Sequence, residues 1–218
     1  MLKLVTFDLD GTIIDDEWAH EQAKIEIAKG LGVTGDLSLS HFTGRSNRLF
    51  WENVYEAFQL PGKPDTEDLV ARQFSRVFEL VRDAGQPESK GLSETLRYLK
   101  SNGYTTALCS GSDLSFVDNI LDYLNLQSLF DFKVTKNYVK NVKPAPDIYL
   151  AAQQISGIGA EFSAGIEDSY SGCLALRSAG MLSIGYTNQG KNTSQDLSIA
   201  DRCIDEMTGM IPILEQML

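Results

Sequence analysis

The sequence predicts an α/β protein, a doubly wound parallel sheet with an inserted α-helical cap domain. Short apolar runs recur along the chain, each ending in a polar or glycine-rich turn. Helical patterns lie between them, and one long early segment breaks the alternation by being helical and poor in strands.

The first run, Leu2 to Phe7, reads as a buried strand that ends where Asp8 begins a polar stretch. Tyr104 to Cys109 precedes Ser110-Gly111-Ser112, Phe162 to Ile166 precedes Glu167-Asp168, and Leu182 to Tyr186 precedes a polar loop. Helical periodicity covers Leu92 to Ser101, Leu114 to Leu124, Ile148 to Ile155 and Gly172 to Ala179. From about Glu17 to Val81 the pattern is helical throughout, with Trp51, Tyr55 and Phe58 spaced for one helix face. Its hinges are expected at Ile14-Asp15-Asp16 and at Asp83-Ala84-Gly85-Gln86-Pro87, the second rich in turn formers. The expected division is a core of residues 1–14 and 84–218 with a helical cap of residues 15–83.

Composition narrows the partners. Nineteen Lys and Arg stand against 30 Asp and Glu, a net charge of −11 that repels nucleic acid and anionic membranes at long range. No window approaches a membrane span, and the apolar stretch before Asp8 is too short for a signal peptide, so a cytoplasmic location is expected. The chain is taken to be a monomer. Cys109, Cys173 and Cys203 are odd in number and lack CxxC spacing, which argues against a disulfide framework or a zinc site. All three are expected to be small core residues.

In open parallel sheets, ligands bind beyond the carboxyl ends of the strands, at the switch in strand order. Asp8, Ser110, Glu167 and Asp168 all fall at such ends, and Lys143-Pro144 lies in a loop able to join them. Asp8 and Asp10 sit at alternate positions just before Gly11, so both carboxylates can face one cavity. One carboxylate can attack phosphorus to form an aspartyl-phosphate; the other can protonate the leaving oxygen and then activate water. Asp8, Glu167 and Asp168 supply oxygen ligands suited to Mg2+, which would screen the repulsion between carboxylate and phosphate. Ser110, with Gly111 and Ser112, offers a hydroxyl and free N–H groups to phosphoryl oxygens, and Lys143 a compact positive charge.

Each of these residues also has a plain structural use. Asp8 and Asp10 can shape a turn, Ser110 can cap a helix, Lys143 can be solvated, and Glu167-Asp168 can favour a helix dipole. Gly185 through Gly190-Lys191 mimics a nucleotide-binding loop, but Asn192 stands where the metal-binding hydroxyl belongs. In the cap, His20 is a candidate for proton handling or sugar contact. Gly44-Arg45-Ser46-Asn47-Arg48 is a basic segment whose Arg45 and Arg48 could clasp the distal groups of a substrate.

Taken together, Asp8-Leu9-Asp10-Gly11-Thr12, Ser110, Lys143-Pro144 and Glu167-Asp168-Ser169 resemble the four signatures of the haloacid dehalogenase-like superfamily of phosphohydrolases, in order and spacing. The resemblance implies a Rossmann-like core in the branch with a helical cap. It makes Asp8 the nucleophile and Asp10 the acid/base, with Mg2+ held by Asp8, the Asp10 backbone carbonyl, Glu167 and Asp168. Within the superfamily the chain is most similar to the β-phosphoglucomutase-like subgroup, which includes mutases and small-molecule phosphatases. Asp16 stands where the mutases usually carry Thr, and Gly-Arg-Ser-Asn-Arg replaces their Gly-Val-Ser-Arg. The expected activity is therefore that of a phosphatase acting on a small phosphorylated metabolite, a sugar or polyol phosphate. A phosphosugar mutase and a catalytically silent binding protein of the same fold are the alternatives.

Overall fold

The computed structural model describes residues 3–34, 47–192 and 195–216. The chain forms two compact units, Met1–Asp15 with Pro87–Leu218, and Asp16–Gln86. The helices in chain order are α1 (Glu17–Gly30), α2 (Asn47–Ala57), α3 (Thr66–Asp83), α4 (Leu92–Ser101), α5 (Leu114–Tyr123), α6 (Asp147–Ser156), α7 (Tyr170–Ser178) and α8 (Met210–Glu215). The strands are β1 (Leu4–Phe7), β2 (Thr105–Ser110), β3 (Phe132–Thr135), β4 (Ser163–Glu167), β5 (Leu182–Tyr186) and β6 (Arg202–Ile204).

In the first unit the six strands among the described residues form one parallel sheet in the order β3-β2-β1-β4-β5-β6. β1 and β4 are buried at every residue, as expected of central strands covered on both faces. Leu4, Ala107, Cys109 and Val134 share one apolar cluster with Tyr149 of α6 and Leu176 of α7. Side chains alternate along a strand, so Phe7 and Leu108 face the opposite side, where the Phe7 ring meets Phe130 edge to face at 5.9 Å. The chain lays down β1, β2 and β3 outward, then returns to the other side of β1 with β4. The switch point thus lies between β1 and β4. Phe7 pairs with Leu108 on one side and Ile166 on the other, so the next residues, Asp8, Cys109 and Glu167, lie side by side near the carboxyl ends of three adjacent strands.

The alternating sheet and its flanking helices match the expectation from sequence, with differences at the margins. β3 and β6 are edge strands of four and three residues, and neither carries an unbroken apolar run. Phe162 closes a short 3-10 turn, Ala160–Phe162, and β4 begins one residue later. α7 starts at Tyr170 because Ser169 caps it, its hydroxyl accepting from the Gly172 N–H at 3.0 Å. Cys109 and Cys173 are buried, but Cys203 is exposed, against the expectation of three core cysteines. It lies on edge strand β6, where only Ile204 turns inward.

The second unit is helical. Ile27 and Ala28 of α1, Phe50, Trp51 and Val54 of α2, and Leu69 of α3 form its core, with Tyr55 and Phe58 packed against it. Asp65 caps α3 by accepting from the Asp68 N–H at 3.1 Å. Gln73, fully buried, accepts from Trp51 Nε1 at 3.1 Å and donates to Asn47 Oδ1 at 3.2 Å. Among the described residues, no helix is long and apolar enough to cross a membrane.

Candidate active site

Three strand ends and one loop build a cluster in the first unit. The Asp8 N–H donates to Ile166 O at 3.1 Å, which continues the ladder between β1 and β4 one residue past β1. The chain then turns at once: Gly11 N–H donates to Ile14 O at 2.8 Å and Ile13 N–H to Leu9 O at 2.8 Å. Gly11 has φ +74°, and a Cβ there would fall 2.1 Å from Asp168 Oδ2, so only glycine admits both the turn and the carboxylate.

Lys143 reaches into this cluster from the loop before α6. Its Nζ lies 2.5 Å from Asp8 Oδ1, 2.5 Å from Glu167 Oε1 and 3.1 Å from Cys109 O. An ammonium has three protons to donate, and these are three acceptors. Burial alone would pull the lysine down, but Asp8 and Glu167 together raise it above its ordinary value, so it stays charged. The Asp8 carboxyl is pushed well above the usual range, first by burial and then by Glu167, against the opposing pull of Lys143.

Asp8, Glu167 and Asp168, all buried, each offer one oxygen within 4.8 Å of the others. Hard carboxylate oxygens in that arrangement fit a divalent cation such as Mg2+, and a carboxyl pushed up by burial and then by the Glu167 charge is one that such a cation would relieve. Glu167 is fully buried. Its Oε1 also accepts a short hydrogen bond from the Tyr149 hydroxyl, and its Oε2 accepts from Ser169 Oγ at 3.3 Å. Gly172 makes room for it, since a Cβ there would lie 1.9 Å from Oε2. The Tyr149 phenol is pushed up by burial and then by the Glu167 charge, which keeps its proton in place.

Asp10 is held by the loop after β2. Ser112 Oγ donates to Asp10 Oδ2 at 2.8 Å, and Ser110 Oγ stands 3.5 Å from the same oxygen. Ser110 is the last residue of β2 and not a helix cap; its hydroxyl accepts from the Ser112 N–H at 3.0 Å. Gly111 is exposed, with open space where a Cβ would be.

The structure therefore brings together Asp8, Asp10, Ser110, Ser112, Lys143, Glu167 and Asp168. Gly111 lies beside them in the same unit, and the cap residues singled out from sequence belong to the helical unit. There His20 lies 3.7 Å from Asp16, within 3.4 Å of Gln73 and edge to face with Phe74. Arg48 is exposed and paired with Glu52 at 3.1 Å. Arg45 lies outside the described residues. The mimic of a nucleotide-binding loop after β5 has another use: Asn192 Nδ2 donates to Asp168 O at 2.5 Å. Sequence reading missed Tyr149 and Gly172, because one looks like a core aromatic and the other like a small helix residue.

A family model described as haloacid dehalogenase-like hydrolase matches residues 2–180. The chain is 30% identical over 211 residues to the probable phosphatase IndB of Dickeya dadantii, spanning 92% of this chain and 87% of that protein. It is 28% identical over 181 residues to hexitol phosphatase B of Escherichia coli K12, spanning 82% of this chain and 80% of the relative. The crystal structure of β-phosphoglucomutase from Clostridium difficile has a similar fold, with a TM-score of 0.81 over 99% of this chain and 96% of that one at 24% identity.

Proposed function

The chain belongs to the haloacid dehalogenase-like hydrolase family, and from that premise we propose that it is a Mg2+-dependent phosphatase of small phosphorylated metabolites, working through an aspartyl-phosphate at Asp8. The observation that carries this reading is the Lys143 ammonium held 2.5 Å from Asp8 Oδ1 and 2.5 Å from Glu167 Oε1 at the switch point of the sheet. It fixes one oxygen of a buried carboxylate and places a positive charge where phosphoryl oxygens would gather.

The steps follow from the residues. An Asp8 oxygen attacks phosphorus and the ester oxygen leaves, taking its proton from Asp10. Ser110 and the N–H groups after β2 hold the phosphoryl oxygens. Asp10, now ionised, removes a proton from water. The resulting hydroxide attacks the aspartyl-phosphate, phosphate departs and the Asp8 carboxylate is restored. Asp8, Asp168 and Glu167, with the Asp10 carbonyl, would hold Mg2+, which when bound supplies charge neutralisation between carboxylate and phosphate.

A sugar or polyol phosphate is the favoured substrate class, supported by the name of the hexitol phosphatase relative. The test is phosphate release across a panel of sugar and polyol phosphates with and without Mg2+. It includes β-glucose 1-phosphate with glucose 1,6-bisphosphate. Release that requires Mg2+ is expected. Glucose 6-phosphate appearing faster than free phosphate would replace this reading with that of a mutase, and no turnover on the whole panel with that of a silent protein.

A further inference from the structure

Tyr149 sits third in α6, six residues beyond Lys143, and is fully buried. Its ring packs in the apolar cluster with Leu4, Cys109, Val134 and Leu176, a place any aromatic would fill. Its hydroxyl does something a Phe could not: it donates to Glu167 Oε1. Its ring face lies under the Lys143 ammonium, with Nζ 5.5 Å from the ring centroid.

We propose that Tyr149 is a positioning residue for the reaction, holding Glu167 so that the Lys143 ammonium stays on Asp8. A buried carboxylate must be compensated, and the ammonium that neutralises Glu167 is the same one that binds Asp8. Were that ammonium the sole donor to Glu167 Oε1, the two carboxylates would compete for it. The Tyr149 hydroxyl supplies Oε1 with a second donor, so the ammonium can lie equally close to both. Ser169 on Oε2 and the missing side chain at Gly172 complete the seat. Tyr149 thus ties the lysine loop to the end of β4, which Ser169 joins in turn to the start of α7. Such outer partners of ligating carboxylates set both ligand orientation and affinity.

The inference rests on the proposed Mg2+-dependent phosphatase, and the test separates the two. Wild type, Tyr149→Phe, Glu167→Gln and the double variant are compared as full chains. Mg2+ binding to EDTA-stripped protein is measured by calorimetry, melting is measured in EDTA, and p-nitrophenyl phosphate turnover is followed with Mg2+. Tyr149→Phe is expected to remain folded at 25 °C, to weaken Mg2+ binding about tenfold and to lower kcat about 10- to 100-fold with KM little changed. In the Glu167→Gln background the same substitution is expected to change the Mg2+ Kd less than about twofold, because its effect travels through that carboxylate. An unfolded Tyr149→Phe, an undiminished effect in the Glu167→Gln background, or Mg2+ affinity and kcat both within about twofold of wild type would overturn the inference. A wild type that turns over no phosphomonoester would overturn the phosphatase reading instead.

Discussion

The Ser112 hydroxyl donates to Asp10 Oδ2 at 2.8 Å, so the proposed acid/base is oriented by the loop that follows β2. Because Ser112 is 4% exposed, water replaces that donor poorly when it is removed. Ser112→Ala is expected to lower kcat for phosphate release about tenfold while shifting the melting midpoint by a few degrees at most. Steady-state kinetics and a thermal melt check this; unchanged kcat would mean that Asp10 needs no such support.

Lys143 is the bridge between two buried carboxylates. Lys143→Met leaves Asp8 and Glu167 without their shared ammonium, and removing one partner of a buried ion pair costs about 3–5 kcal/mol. Chemical denaturation in EDTA should show a loss of that order, and kcat/KM should fall at least about 100-fold. Lys143→Arg should not restore activity, since a planar fork does not reproduce three donors converging from one nitrogen.

The raised Asp8 carboxyl makes the metal-free chain sensitive to pH. Its folded pKa lies well above the ordinary value of an aspartate, with burial the chief cause and Glu167 the next. Between those two values the folded chain binds more protons than the unfolded one, so stability falls as pH rises through that window. Asp8→Asn removes the titration. In EDTA, the midpoint of the Asn variant minus that of wild type should therefore grow as pH rises above about 4. A flat difference would show that Asp8 titrates normally.

Gln73 organises the helical unit. It is fully buried, accepts from Trp51 Nε1 and donates to Asn47 Oδ1. Gln73→Leu strands the buried indole N–H and should destabilise the protein by about 1–3 kcal/mol in denaturant titration. A neutral effect would mean that the indole finds another acceptor.

The fold was legible where burial leaves a mark on composition. The central strands around Val5, Leu108 and Ile166 are short runs built round apolar residues and buried almost throughout, and Trp51, Tyr55 and Phe58 do line the core of the helical unit. The edge strands were not legible, because Phe132 and Lys133 are only half-buried and Arg202–Ile204 buries only its last residue. In the candidate site the motif carboxylates and Ser110 were readable from their places at or just past strand ends, and Lys143 from a loop able to reach them. What sequence could not supply is who holds whom. Ser112 looked like a substrate contact, but in the structure its hydroxyl is spent on Asp10. Tyr149 carries no polar pattern around it, and the value of Gly172 appears only once the Glu167 carboxylate is seen against it.

In the proposed reaction Asp8 carries the phosphoryl group. Rapid quenching of protein, Mg2+ and a turned-over phosphomonoester, followed by borohydride reduction and peptide mass spectrometry, tests it directly. Reduction of an aspartyl-phosphate converts that residue to homoserine. The predicted result is homoserine at position 8, dependent on substrate and absent from the inactive Asp8→Asn variant. Unmodified Asp8 throughout, together with turnover that survives Asp8→Asn, would contradict it.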